Sequence, residues 1–105
     1  MRYLEPTELS AARLGDGRLQ LVDVRQPEEW ALVRLPDAIL IPLDELTTRL
    51  HEIDTERPVV LYCHHGVRSE LAGRILERSG HTDVAHLVGG IDAWSRVIDP
   101  GLPRY

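Results

Sequence analysis

Short apolar runs alternate along this chain with segments in which apolar residues recur every three or four positions. The apolar runs have the length of strands and cover residues 3–4, 19–24, 38–41, 59–62 and 84–88. The helical spacing covers residues 6–14, 43–53, 69–79 and 91–97, and a shorter helix is predicted from Pro27. Pro6 and Pro27 suit the first turn of a helix, and Gly80 is a typical C-terminal stop.

Regular alternation of strands and helices predicts an α/β fold. We expect a central, mostly parallel five-stranded sheet with helices on both faces, formed by residues 1–105 as a single domain. In such folds, ligands bind beyond the carboxyl ends of the strands. That edge of the sheet is therefore where a functional site is expected.

Composition narrows the class of protein. The 105 residues are 43% hydrophobic and 28% charged, as in an ordinary globular domain, and the net charge is -5. We therefore expect neither nucleic acid nor a membrane as a partner. The single cysteine cannot form an internal disulfide, which favours a reducing, cytoplasmic setting.

That cysteine, Cys63, occupies the position where chemistry is expected. It directly follows the apolar run 59–62 and precedes the helix predicted over 69–79. A thiolate there would be stabilised by loop amides and by the helix N-terminus, which lower a cysteine pKa to about 3.5–7.5. Gly66 would let the loop turn tightly around the sulfur. The alternative is a buried, inert thiol, which is common for free cysteines. The loop and the predicted start of the helix favour a reactive thiolate.

Charged and polar neighbours suggest further roles. Arg68 is predicted to recognise the charge of an anionic substrate, with an ion pair to Asp23 or Glu70 as the alternative. His64 and His65 would either line the pocket mouth, partly protonated, or be exposed without a role. Three successive residues cannot readily surround one ion, so no metal site is predicted at Cys63 and these histidines.

Four segments closely resemble the rhodanese family of sulfurtransferases: residues 21–30, 36–42, 61–69 and 89–94. The resemblance implies a rhodanese-like fold and a catalytic Cys63. It also implies substrate binding by His64, His65, Gly66, Val67 and Arg68, with support from Asp23, Arg25 and Ser69. No cofactor is implied. The family usually has Gly-His-Ile-Pro-Gly-Ala where this chain has residues 33–38, a departure expected to change the conformation of a scaffold loop.

The resemblance implies transfer of sulfane sulfur from thiosulfate or another persulfide donor through a Cys63 persulfide. The acceptor would be cyanide, a small thiol or a protein thiol. A module that carries persulfide sulfur to a partner enzyme is an alternative. A cysteine phosphatase or arsenate reductase is a weaker one, because related cell-cycle phosphatases have five residues between cysteine and arginine. Here there are four. An inactive rhodanese module is also a weaker alternative, because such modules often lack the cysteine.

Overall fold

Five strands and four α-helices make up the computed structural model, which describes all 105 residues. The strands are β1 (Arg2–Leu4), β2 (Gln20–Asp23), β3 (Ile39–Leu40), β4 (Val59–Tyr62) and β5 (Val84–Leu87). The helices are α1 (Pro6–Gly15), α2 (Pro27–Leu32), α3 (Val67–Arg78) and α4 (Gly90–Val97). None of these helices combines the length and the apolar composition needed to cross a membrane.

The strands form one sheet in the order β1-β5-β4-β2-β3, and every neighbouring pair is parallel. The predicted α/β fold with a five-stranded sheet is therefore confirmed, and the sheet is parallel throughout. β4 lies at the centre, between β5 and β2. The loop that follows β4, which contains Cys63, consequently leaves the middle of the carboxyl edge, where parallel sheets hold their ligands.

Apolar cores lie on both faces of the sheet. On one face, Val60 and Tyr62 of β4 pack in a cluster with side chains of α1 and α4. On the other face, Val59, Leu61 and Cys63 pack with side chains of α3 and of the segment before β4. Successive residues of a strand point to opposite faces, so both faces of β4 are apolar. The prediction of helices on both faces is confirmed.

The α-helix predicted over residues 43–53 is wrong. The structure has two 3₁₀ helices there, Leu43–Thr48 and Leu50–Glu52, separated at Arg49. The apolar positions are three residues apart, from Leu43 to Leu46 in the first helix and from Leu50 to Ile53, the residue that follows the second helix. Three residues per turn is the repeat of a 3₁₀ helix. A stripe of this kind buries its side chains in either type of helix, so the apolar spacing did not distinguish them.

The edge strand β3 is shorter than the predicted run 38–41, with only Ile39 and Leu40 paired to β2. Just before it, Asp37 adopts a left-handed conformation with φ of 64°. This is the position at which the rhodanese motif has its second glycine. Aspartate tolerates this region better than most residues. Asp37 therefore adopts the left-handed conformation at a position where the family motif has glycine.

Candidate active site

Cys63 is almost completely buried, with 1% of its surface exposed, at the end of the central strand. Its Sγ accepts the backbone N–H of Gly66 at 3.1 Å and that of Ser69 at 3.4 Å. The sulfur therefore lies inside the turn that connects β4 to the start of α3. Both donors carry partial positive charge, so this environment stabilises negative charge on the sulfur.

Other amides of the same loop are free to bind an anion. The N–H groups of His65, Val67 and Arg68 have no acceptor within the protein. Val67 and Arg68 open α3, and the first N–H groups of a helix have no partner in the helix itself. The loop thus has backbone N–H donors that the cysteine sulfur does not use. A site that binds an additional anionic atom requires such donors.

Two glycines allow this arrangement. Gly66 precedes α3 with φ of 112°, a left-handed backbone conformation that residues other than glycine rarely adopt. Gly90 lies so close to the loop that an added Cβ would overlap the carbonyl oxygens of Cys63 and His64. Those carbonyls accept the N–H groups of Ile91 at 2.9 Å and Asp92 at 3.1 Å, at the start of α4. The first turn of α4 thereby binds the carbonyls at the start of the loop, a contact that the sequence motif did not reveal.

Arg68 is paired with Glu29. Its two terminal nitrogens donate to the two carboxylate oxygens at 2.6 and 2.9 Å. The ion-pair partners predicted for Arg68 are therefore wrong: Asp23 bonds Arg25, and Glu70 lies 3.8 Å from Arg74. The bond from Arg68 lowers the pKa of Glu29 to about 2, against the effect of burial. A negative charge thus accompanies Arg68 at the site.

Asp23 and Arg25 form a fully buried ion pair behind the loop. The carboxylate of Asp23 accepts Nη2 of Arg25 at 2.7 Å and Nε at 3.0 Å. The pKa of Arg25 is raised by these bonds despite burial, which acts in the opposite direction. Other donors of Arg25 reach the carbonyls of Glu29, inside α2, and of Val33, directly after it, so the pair is bonded to this helix and to its C-terminal end.

Tyr105 adds a contact that sequence reasoning missed. Its hydroxyl donates to Oε2 of Glu29 at 2.6 Å and accepts from Nη1 of Arg25 at 2.8 Å. Its ring stacks on His64, with centroids 3.8 Å apart and planes 8° apart, and His64 lies 3.8 Å from the ring of His65. The rings of Tyr105, His64 and His65 therefore form a row, and Arg25 binds the hydroxyl of Tyr105 at one end of it.

The two histidines differ in their surroundings. Burial, and then the nearby His65, lower the pKa of His64, so His64 contributes little positive charge at neutral pH. His65 is largely exposed and lies 4.0 Å from the carboxylate of Asp92. His64, His65 and Asp92 bring possible metal-ligand atoms within 4.8 Å of one another. The carboxylate of Asp92, however, already binds Arg96 at 2.8 Å and Arg104 at 3.4 Å.

Three residues of the site were not predicted from the sequence, and only one of them, Glu29, lies in a recognisable sequence pattern. Glu29 stands three residues after Gln26, and the two side chains form a capping box at the start of α2. That spacing is recognisable, although it predicts a helix cap and not a partner for Arg68. Tyr105 and Asp92 had no local signal, because their contacts depend on how distant segments pack.

Known proteins resemble this chain in sequence along most of its length. The family model of the rhodanese-like domain matches residues 5–97. A sulfurtransferase from Allochromatium vinosum is 41% identical over 98 residues, which span 92% of this chain and 89% of that protein. The probable adenylyltransferase/sulfurtransferase MoeZ of Mycobacterium tuberculosis is 36% identical over 97% of this chain, which spans only 26% of MoeZ.

The fold has close relatives as well. The crystal structure of a rhodanese-like domain protein from Staphylococcus aureus superposes with a TM-score of 0.86 at 33% identity. It covers 100% of this chain and 99% of that one. Both of these curated relatives carry sulfurtransferase in their names, MoeZ as a probable one. The chain belongs to the rhodanese-like domain family.

Proposed function

We propose that this protein transfers sulfane sulfur through a persulfide on Cys63. The thiolate of Cys63 attacks the outer sulfur of thiosulfate or of another persulfide donor. The new S–S bond forms as the old one breaks, and sulfite or a thiolate leaves. A thiol or cyanide then attacks the terminal sulfur and regenerates the thiolate. This is covalent catalysis by double displacement, and it requires no metal or organic cofactor.

The observation that carries the proposal is the placement of the Cys63 sulfur among backbone donors. Gly66 and Ser69 donate to the sulfur itself, while His65, Val67 and Arg68 retain free N–H groups. A terminal persulfide sulfur is anionic and needs donors of its own. In the proposed intermediate, amides between His64 and Arg68 supply them, and His64 and His65 line the entrance.

A carrier function is the main alternative. The matched region forms only part of MoeZ, a probable adenylyltransferase/sulfurtransferase, which supports the idea that such a domain can serve a larger sulfur-transfer system. The same Cys63 persulfide would then pass to a protein thiol, and turnover with small acceptors would be slow. The two functions share the intermediate and differ in the acceptor.

The phosphatase alternative receives less support. Only His64, His65, Gly66 and Val67 separate Cys63 from Arg68. In addition, Arg68 is already engaged by both oxygens of Glu29, an acceptor that a phosphate would have to displace. A phosphoryl group needs donors for three equatorial oxygens in the transition state, and a short loop around a single sulfur suits persulfide better.

The proposal is tested by steady-state kinetics with thiosulfate and cyanide. We expect parallel lines in double-reciprocal plots, as for a ping-pong mechanism, and no thiocyanate from folded Cys63→Ser protein. Single-turnover transfer from preloaded protein to cyanide, glutathione and a protein thiol then distinguishes a general sulfurtransferase from a carrier. Thiocyanate formation by folded Cys63→Ser would contradict the mechanism.

A further inference from the structure

A chain of hydrogen bonds connects the Cys63 sulfur to a histidine outside the loop. The thiol donates to Oγ of Ser69 at 3.6 Å, and Ser69 Oγ lies 2.9 Å from Nδ1 of His86. All three side chains are buried, with 1%, 0% and 5% exposure respectively. Ser69 lies in the first turn of α3. His86 lies on β5, next to β4, the strand that precedes Cys63.

The imidazole of His86 also has access to solvent. It forms part of the wall of an open cavity of about 290 Å³, together with Tyr3, His65 and Glu70. The rings of Tyr3 and His86 meet edge to face, with centroids 4.9 Å apart. The connection from the buried sulfur therefore ends at a titratable group on the wall of a cavity that water can enter.

Building on the function proposed above, we infer that His86 accepts the proton of Cys63 through Ser69 and returns it at the end of the cycle. The S–H proton passes to Oγ of Ser69 while the hydroxyl proton of Ser69 passes to Nδ1 of His86. The products are a thiolate, an unchanged hydroxyl and an imidazolium. When the acceptor removes the terminal sulfur, Cys63 is again a thiolate, and the two transfers reverse. Protons balance over the cycle, and no oxidant or reductant is needed.

The hydroxyl of Ser69 is suited to this exchange. Its single proton can be directed to the carbonyl of Gly66 at 3.2 Å or to His86 Nδ1 at the shorter distance of 2.9 Å. After the transfer, Nδ1–H donates to the hydroxyl oxygen and the hydroxyl donates to the thiolate. Each atom therefore keeps a partner in both states, as a buried polar chain requires.

Burial of His86 favours the neutral starting form that this transfer requires. Burial lowers its pKa, and Glu70 of α3 opposes that shift. The other titratable or charged groups facing this region are Cys63, His65, Tyr3 of β1 and Arg74 of α3, which contacts both Glu70 and the Tyr3 hydroxyl. A neutral imidazole can accept a proton, and the thiolate formed at the same time stabilises the resulting imidazolium.

The test measures the alkylation rate of Cys63 by iodoacetamide as a function of pH, which does not require sulfur transfer. His86→Gln can keep a bond to Ser69 but cannot accept a proton. We expect the midpoint of the rate profile to rise by about one pH unit, which is a tenfold loss of thiolate at lower pH. His81→Asn is the matched control, since His81 is equally buried but bonds the carbonyl of Ile53; its midpoint should not move.

Ser69→Ala provides a second route if His86→Gln fails to fold. It should also raise the midpoint, and in that background His86→Gln should add no further shift, because the connection is already broken. In NMR titrations of the wild type and of Cys63→Ser, the His86 imidazole should change its titration when Cys63 is removed. An unchanged midpoint in folded His86→Gln, or an equal rise in His81→Asn, would overturn the inference. Failure to load sulfur with an intact midpoint shift would refute the proposed function alone.

Discussion

Both carboxylate oxygens of Glu29 bind the guanidinium of Arg68, although the residues lie on different helices and 39 positions apart. The side chain of Arg68 is 33% exposed and that of Glu29 is 18% exposed, so solvent screens the pair only partly. Two-pronged pairs of this kind hold arginine in a fixed orientation. Arg68 is therefore oriented before any substrate binds, and its charge is largely balanced.

Removing the balancing charge should improve binding of anionic donors. Glu29→Gln is expected to lower KM for thiosulfate about fivefold, since a partly exposed charge contributes about 1 kcal/mol. Arg68→Ala should have the opposite effect on thiosulfate loading and little effect on release of sulfur to a neutral thiol. Each half-reaction is measured separately across a range of salt concentrations. Glu28→Gln, on the same turn of α2 but facing solvent, is the control; an equal KM change there would argue against a specific role for Glu29.

The same pair predicts a pH dependence of stability. The pKa of Glu29 is lowered from 4.5 to about 2 by the bond from Arg68. A lowered carboxylate pKa contributes stability in full above the unfolded pKa, and that contribution disappears as pH falls through the folded value. Urea unfolding between pH 5 and about 2 should therefore lose stability less steeply in Glu29→Gln than in the wild type. Equal slopes would indicate that the pair does not stabilise the fold.

Tyr105 is predicted to control the environment of His64. Burial is the main cause of the lowered pKa of His64, and the Tyr105 ring covers one face of that imidazole. Tyr105→Ala should raise the pKa of His64 toward its usual value, as followed by NMR titration. Tyr105→Phe keeps the ring, so the His64 titration should stay the same. It should nevertheless cost about 1 to 2 kcal/mol of stability, because Glu29 and Arg25 lose a shared hydroxyl.

Gly66 can be tested against a glycine of similar conformation. Gly66 has φ of 112° and Gly80 has φ of 100°, but an added Cβ at Gly80 would meet nothing within 4 Å. Both alanine variants should lose about 1 to 2 kcal/mol through backbone strain. Only Gly66→Ala should also reduce sulfur loading, because its Cβ would approach N of Gly89 at 3.3 Å and disturb the loop. Equal loading by the two folded variants would show that the loop tolerates the change.

Loop length predicts which group the site accepts. The wild type should transfer sulfur from thiosulfate and show no appreciable hydrolysis of an aryl phosphate. Inserting one residue between Gly66 and Val67 should enlarge the ring of N–H donors, lower sulfur transfer and improve binding of phosphate or arsenate. Both substrates are assayed with both proteins. Efficient phosphate hydrolysis by the wild type, together with no detectable persulfide, would favour the phosphatase alternative.

The sequence predicts the parts of this protein that depend on local pattern. The strand 59–62, the helix after Cys63 and the loop between them follow from apolar runs, turn residues and a motif of fixed length. The pair Glu29–Arg68 does not, because the partner of an arginine depends on which helices become neighbours in space. The contact of Ser69 with His86 is similar: Ser69 belongs to the motif, whereas His86 looks like an ordinary strand residue until β5 is placed beside β4.

The 3₁₀ helices show the limit of spacing as evidence. A stripe from Leu43 to Ile53 predicts which side chains face the sheet, and Leu46 and Ile53 are indeed buried there. The choice between two kinds of helix depends on backbone hydrogen bonds instead. In this segment those bonds run from Arg49 to Leu46 and from Ile53 to Leu50, three residues apart. Side-chain pattern alone does not report that difference.

The central claim is that Cys63 carries sulfur, and intact mass spectrometry tests it most directly. The protein is incubated with thiosulfate, passed through a desalting column without reductant and weighed, with Cys63→Ser treated in parallel. The account predicts that the wild type gains the mass of one sulfur atom, that cyanide removes it as thiocyanate, and that Cys63→Ser gains nothing. An unchanged wild-type mass after exposure to both thiosulfate and an organic persulfide would contradict it, as would an equal gain in Cys63→Ser.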